Sequence, residues 1–187
     1  SVILDPLSAE IGTAVYLPEL HEAECRLAEN LATLVAAKAF GVQLEAVVEK
    51  AIAGFEASTK VSLAPAQRTA IEAAAAEKVV VITGGPGVGK TTIVRCLLML
   101  FDGAGLKARL AAPTGRAAKR MSEATGREAV TVHRLLEFDP RSREFARNEE
   151  NPIEAGVIIL DEISMVDLEL MDAVVCALPR ETRLVIV

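Results

Sequence analysis

The sequence predicts an α/β protein: a parallel sheet covered on both faces by helices and preceded by a helical N-terminal region. Three observations lead there. Apolar runs at 79–83, 108–112, 157–160 and 183–187 are solid rather than alternating, as expected of strands buried on both faces. Segments with helical spacing of apolar residues separate them, so the order is strand, helix, strand. The chain has 187 residues and a hydrophobic fraction of 51%, enough for one well-buried domain and a smaller appendage.

Taken in order, residues 18–38 open on Pro18 and carry Leu20, Cys25, Leu27, Leu31 and Leu34 on one face of an amphipathic helix. Gly41 breaks it, and Leu44, Val47, Val48, Ile52 and Phe55 mark a second helix. Residues 1–60 thus read as a helical layer without chemistry of its own. A third helix starts near Pro65, with Ile71 and Ala74 inward, and leads into the first strand. The helix after that strand runs to about Phe101 and ends at Gly103 and Gly105. Strand 108–112 is followed by a basic helix through Ala124, closed by Gly126. Thr131 is a candidate cap for a short helix over 132–136. Phe138 to Phe145 has a turn signal between short strand-like stretches and reads as a hairpin insertion spanning 137–148. A last helix, 168–178, precedes strand 183–187.

The stretch that gives this framework a chemistry is GGPGVGKTT, residues 84–92, between the first strand and its helix. Glycines allow positive φ and let backbone N–H groups close round a phosphate without Cβ clashes. The helix start adds its positive end. Gly84, Gly85, Pro86, Gly87, Val88, Gly89, Lys90, Thr91 and Thr92 are therefore candidate nucleotide-binding residues. Lys90 reaches the outer phosphates, and Thr91 supplies a hydroxyl to Mg²⁺. A strand ending in Asp161-Glu162 completes the set. Asp161 is the second candidate Mg²⁺ ligand, and Glu162 is the candidate base for a water attacking the γ-phosphate. Lys90, Asp161 and Glu162 are the candidate catalytic residues, and ATP with Mg²⁺ the expected cofactors. The acidic pair favours hydrolysis by water over transfer to a substrate.

A further set, APTGRAAKR at 112–120, ends the second strand. Ligands of open α/β sheets gather outside the carboxyl ends of the strands. Here Thr114, helix-start N–H groups, Arg116, Lys119 and Arg120 suit a phosphodiester backbone. Composition sets limits on that partner. The net charge is −6, aromatic residues are 3% and tryptophan is absent, so base-stacking platforms are scarce and a simple basic nucleic-acid binder is excluded. Acidic residues dominate the first sixty positions, whereas arginines gather after residue 115. Cys25, Cys96 and Cys176 are far apart, have no metal spacing and cannot all pair, which points to a reducing cytoplasm. No apolar run approaches the roughly twenty residues of a membrane span, and no signal peptide is seen. Ser1 is not a natural start and 183–187 reads as a strand lacking its loop, so the chain is expected to be a fragment.

Taken together and in order, Gln67, GGPGVGKTT, APTGRAA (112–118), TVHRLL (131–136) and LDEISMVD (160–167) closely resemble the first motor domain of superfamily 1 DNA helicases. The RecD-like branch, the exodeoxyribonuclease V alpha subunit family, is the nearest in pattern, and Tyr16 to Leu20 resembles the region before its motor. The resemblance implies a RecA-like P-loop NTPase sheet over residues 61–187, truncated at its end, with 1–60 as the helical N-terminal region. It implies an ATP-dependent 5′-to-3′ DNA helicase motor acting in DNA repair and recombination. Gln67 is implied to read adenine. Pro113, Thr114, Gly115 and Arg116, with Thr131, His133 and Arg134, are implied to bind single-stranded DNA. The hairpin corresponds to a duplex-splitting pin, and other subunits of a recombination nuclease complex are implied partners. The family's second motor domain carries arginines that complete the ATP site, so turnover by this stretch alone is expected to be very slow. The strand pattern of such motors puts 79–83 centrally, 183–187 between it and 157–161, and 108–112 outermost. Two other readings remain at this point: an AAA+-type ATPase such as a loader, and a nucleotide-binding module without turnover.

Overall fold

The computed structural model describes residues 2–6, 13–38, 43–85 and 87–187. Gly41, expected to break the first helix, and Pro86 of the glycine-rich turn lie outside them. The chain starts with a feature that the sequence pattern does not announce. Strands β1 (Ile3–Pro6) and β2 (Thr13–Tyr16) pair antiparallel, with Ile3 opposite Tyr16. Helix α1 (Pro18–Ala36) follows with Pro18 in its first turn, where a missing N–H costs nothing. A 3₁₀ turn (Leu44–Ala46) leads into α2 (Val48–Thr59), and α3 (Pro65–Ala76) again starts on proline.

Then come β3 (Val79–Val81), α4 (Lys90–Gly103), β4 (Ala108–Ala112) and α5 (Gly115–Thr125). The Thr114 hydroxyl accepts from Ala117 N–H at 3.2 Å to cap α5, and Gly126 closes it at φ 70°. Strand β5 (Ala129–Thr131) runs straight into α6 (Val132–Leu135), which is capped in the same way by Thr131 through Arg134 N–H. The expected hairpin exists as β6 (Phe138–Asp139) and β7 (Glu144–Phe145). The remainder is β8 (Val157–Leu160), a 3₁₀ turn (Ile163–Met165), α7 (Leu168–Cys176) and β9 (Arg183–Ile186).

Five strands form one parallel sheet in the order β3-β9-β8-β4-β5. The last strand indeed lies between β3 and β8, with Ile186 opposite both Val81 and Leu160. Two expectations are corrected. Strand 79–83 is not central: among the described residues β3 pairs only with β9, and Val81 is 60% exposed. Its valine run imitates a two-sided strand, but burial depends on neighbours that the run does not encode. Nor is 108–112 outermost, because β5 pairs outside it, with Ala112 opposite Thr131. Three residues are too few to show a period, so nothing in the pattern announces β5.

The solid runs are explained by alternation between two cores. Val157, Ile159, Val185 and Leu110 face the layer of α2, α3 and α4, whose largest buried side chain is Phe101. Ile158, Leu160, Leu184, Ile186 and Ala111 face the opposite layer, built from α1, α6 and α7. Both faces are covered, so both parities of each strand are apolar.

Helix α1 is fastened to α7 by more than apolar contact. Arg26 donates to Asp172 Oδ2 through Nε (2.8 Å) and Nη2 (2.5 Å), and Asn30 Nδ2 lies 3.1 Å from Cys176 Sγ. Asp172 is 6% exposed at its side chain and Arg26 54%, so water reaches only the cation. Removing the cation strands a buried carboxylate, whereas removing the carboxylate frees an arginine that water can solvate. Arg26→Ala should therefore lower stability by about 1–2 kcal/mol, after allowing for the exposed arginine, and Asp172→Ala by less. Urea unfolding of the two variants checks the order. Thiol chemistry gives a second test, because burial pushes the Cys96 thiol up to about 11 while Cys25 is exposed. At pH 8 a thiol reagent should modify Cys25 first and reach Cys96 only after unfolding, as a mass spectrum of the labelled peptides would record.

Candidate active site

Parallel pairing brings the carboxyl ends of all five strands to one edge. There β3 gives way to the glycine-rich turn, whose geometry needs glycine at two positions. Gly87 and Gly89 sit at φ 81° and 84°, and Gly89 is the residue that starts α4. A Cβ on Gly89 would collide with Gln67 Nε2. Gln67 explains that closeness. Its Oε1 accepts from Ala64 N–H (2.9 Å) at the start of α3, and its Nε2 donates to Val88 O (3.0 Å) in the turn. The side chain thus bolts α3 to the glycine-rich turn, a role that sequence does not disclose. Lys90 Nζ donates to Gly84 O at 3.1 Å, which folds the ammonium over the turn.

A cleft of about 480 Å³ opens beside this turn. Gly84, Gly87, Lys90 and Thr91 form one wall and Asp161 and Glu162 the floor. The opposite wall is α5, through Ala117, Arg120, Met121, Ala124 and Thr125. The structure therefore brings together all three candidate catalytic residues and Thr91. Asp161 is fixed by its own N–H donating to Ala111 O (3.0 Å), and its Oδ1 accepts from Glu162 N–H (2.9 Å). Glu162 is held at φ 55°, ψ 41°, a left-handed conformation that a side chain disfavours. Its carboxylate pairs with the Arg120 guanidinium.

The donor set suits Mg²⁺. Among the described residues no group of three acidic, histidine or cysteine side chains forms a cage. Mg²⁺ takes one or two protein oxygens and completes its shell with phosphate and water. One hydroxyl, Thr91, and one carboxylate, Asp161, lining the same cleft beside the glycine-rich turn meet that need.

The remaining candidates lie outside the cleft. Pro113, Thr114, Gly115 and Arg116 follow β4, Thr131 ends the adjacent β5, and His133 and Arg134 come directly after it in α6, so the two segments are neighbours at the same edge. Arg116 and Arg134 are exposed, while the Thr114 and Thr131 hydroxyls act as helix caps. His133 packs edge-on against Phe138 of the hairpin, 5.4 Å between ring centroids, and 6.0 Å from Phe145. Arg120, grouped by sequence with Arg116 and Lys119 as a backbone-facing cation, turns instead into the cleft. The signal was present as the spacing of Ala117, Arg120, Met121 and Ala124, which is one helical stripe.

The AAA domain family model matches residues 67–187. The ATP-dependent RecD2 DNA helicase of Deinococcus radiodurans is 38% identical over 176 residues, covering 92% of this chain and 23% of that protein. The RecBCD enzyme subunit RecD of Mycolicibacterium smegmatis is 35% identical over 206 residues, covering 97% of this chain and 35% of that protein. The ATP-dependent DNA helicase dda of Enterobacteria phage T4 is 35% identical over 106 residues, 54% of this chain and 24% of the phage protein. The chain thus spans between 23% and 35% of the length of these relatives.

The turn itself makes a prediction. Gly89→Ala strains a positive φ and displaces Gln67 from Val88, so it should cost about 1–3 kcal/mol in thermal unfolding. A methyl group on Gly85 would meet no atom within 4 Å. Gly85→Ala should stay within about 0.5 kcal/mol of the parent.

Proposed function

The chain belongs to the AAA domain family, and from that premise we propose that it is the ATP-binding motor of a RecD-like DNA helicase. In this reading ATP hydrolysis drives 5′-to-3′ translocation on single-stranded DNA during repair or recombination. The observation that carries it is the cleft itself, where Lys90 and Thr91 meet Asp161 and Glu162 at the ends of parallel strands. Names of relatives support the DNA substrate, and RecD relatives named as RecBCD subunits support assembly with other subunits of a recombination nuclease complex. No helix among the described residues is long and apolar enough to cross a membrane. A DNA substrate and three unpaired thiols fit a cytoplasmic protein.

The chain's own residues divide the work. The turn from Gly84 to Thr92 presents backbone N–H groups to the phosphates, and Lys90 adds a mobile positive charge. Gln67, beside the turn at the start of α3, would read adenine with an amide that both donates and accepts once it exchanges its bonds to Ala64 N–H and Val88 O for the base. Thr91 and Asp161 would hold Mg²⁺, which supplies charge neutralisation between the outer phosphates. Glu162 orients the attacking water and accepts its proton at a carboxylate oxygen. Pro113 to Arg116 and Thr131 to Arg134 then provide a cationic shelf for phosphate and sugar, which suits a motor that must accept every sequence.

Two measurements test this in the intact protein. Lys90→Ala should weaken ATP binding by about tenfold or more in an equilibrium titration. Arg116→Ala should raise the oligonucleotide concentration needed for half-maximal ATPase stimulation by about threefold or more, with a steep salt dependence throughout. An ATPase indifferent to single-stranded DNA would favour the AAA+ loader reading instead.

A further inference from the structure

The pair Arg120–Glu162 is unexplained by the functions assigned so far. Glu162 is the candidate base, and its side chain faces a guanidinium that sits in the same cleft as Lys90 and Thr91. Arg120 comes from the middle of α5, one turn beyond Ala117, so the helix presents it to the cleft while its side chain stays 61% exposed. Its helical neighbour Lys119 turns elsewhere and approaches Glu123 at 3.8 Å. The left-handed backbone of Glu162 makes the carboxylate project toward α5 and not along the strand.

We propose that Arg120 is a positioning residue of the hydrolysis site that exchanges partners, holding Glu162 when a nucleoside diphosphate is bound and engaging the third phosphate when a triphosphate is bound. This rests on the nucleotide reading of the cleft. Three physical arguments carry it. An exposed ion pair shifts an equilibrium by only about fivefold at most, so it yields readily to a better partner. A terminal phosphate is such a partner, since it takes the guanidinium fork as a carboxylate does but carries more charge. One guanidinium cannot serve both anions fully. Its transfer to the phosphate therefore frees the Glu162 oxygen, which can then accept from water. The diphosphate lacks the group that Arg120 would turn to, so the carboxylate stays engaged. Glu162 is thereby released only when there is a bond to cleave.

The experiment measures affinity first. Fluorescent ADP and a non-hydrolysable ATP analogue are titrated into the intact wild-type protein and into Arg120→Gln, Arg120→Lys, Glu162→Gln and the Arg120→Gln/Glu162→Gln double variant. Arg120→Gln should weaken the ATP analogue by about tenfold while ADP affinity changes less than about twofold, since one charge-assisted contact to the third phosphate is lost. Arg120→Lys should recover about half of that loss on a logarithmic scale, keeping charge but not the fork. Glu162→Gln removes the competitor and should tighten the analogue by about threefold in the wild-type background but not in Arg120→Gln, a non-additivity that a static contact would not produce. In turnover, Arg120→Gln should raise KM for ATP and also lower kcat. Equal loss for ADP and the analogue, or no loss for either, would overturn the exchange. So would additive effects in the double variant. If the wild type binds neither nucleotide, the reading of the cleft falls, and the exchange with it.

Discussion

The cleft depends on where β9 lies. Inserted between β3 and β8, it is the strand through which the glycine-rich turn is joined to the acidic pair, since among the described residues β3 has no other partner. Two strand spacings put the ends of β3 and β8 about 9–10 Å apart, a width that accommodates a phosphate chain and a hydrated cation between them. The strand is held firmly. Val187 N–H donates to Leu160 O at 2.8 Å beyond its end, and Ile82 N–H donates to Ile186 O at 2.7 Å on its other side. At its start, the buried Arg183 donates through Nη1 to Ala75 O and Glu77 O, which satisfies carbonyls at the end of α3. Burial lowers the pKa of that guanidinium, and Thr182 adds a bond to Ala155 O.

Helix α3 is therefore secured at both ends, by Arg183 at its last turn and by Gln67 at its first. The turn and the sheet are linked twice: directly through β3, and indirectly through α3 and β9. Such redundancy fixes Gln67 and the start of α4 relative to the sheet. The same logic applies on the opposite face, where Arg26 and Asp172 fix α1 on α7, the helix that follows Asp161 and Glu162. Lys78 extends that tie, donating to Ala37 O and Arg180 O from a site where burial lowers its pKa.

What sequence made legible is local chemistry. Thr114 and Thr131 announce their helices because a hydroxyl before an apolar stripe satisfies orphan N–H groups wherever the fold later puts it. The solid runs of β8 and β9 announce two-sided burial, and the glycines of the turn announce the positive φ seen at Gly87 and Gly89. What it hid is long-range. The ribbon β1–β2 has no core face, with Leu4 and Val15 exposed, so no period marks it. The nucleotide contact expected of Gln67 rests on family pattern alone, and its bond to Val88 follows from a proximity of residues 21 apart in sequence. Arg120 stood in a cluster of cations whose helical stripe, and not whose charge, decided its direction.

The hairpin has a stiff root. Phe138 and Phe145 pack with ring centroids 5.2 Å apart and planes tilted by 52°, and both lie against His133, while Arg147 N–H and Ala146 N–H donate to Leu136 O and Glu137 O below them. Arg147 also pairs with Glu137 at 2.7 Å and donates to Pro152 O. Compliance is thereby confined to the tip, where Arg143 adopts φ 59° in the tight turn. Mechanically this is a cantilever clamped to α6: a load on its tip is delivered as torque to His133 and to the junction of β5 with α6, and is not dissipated in a slack linker.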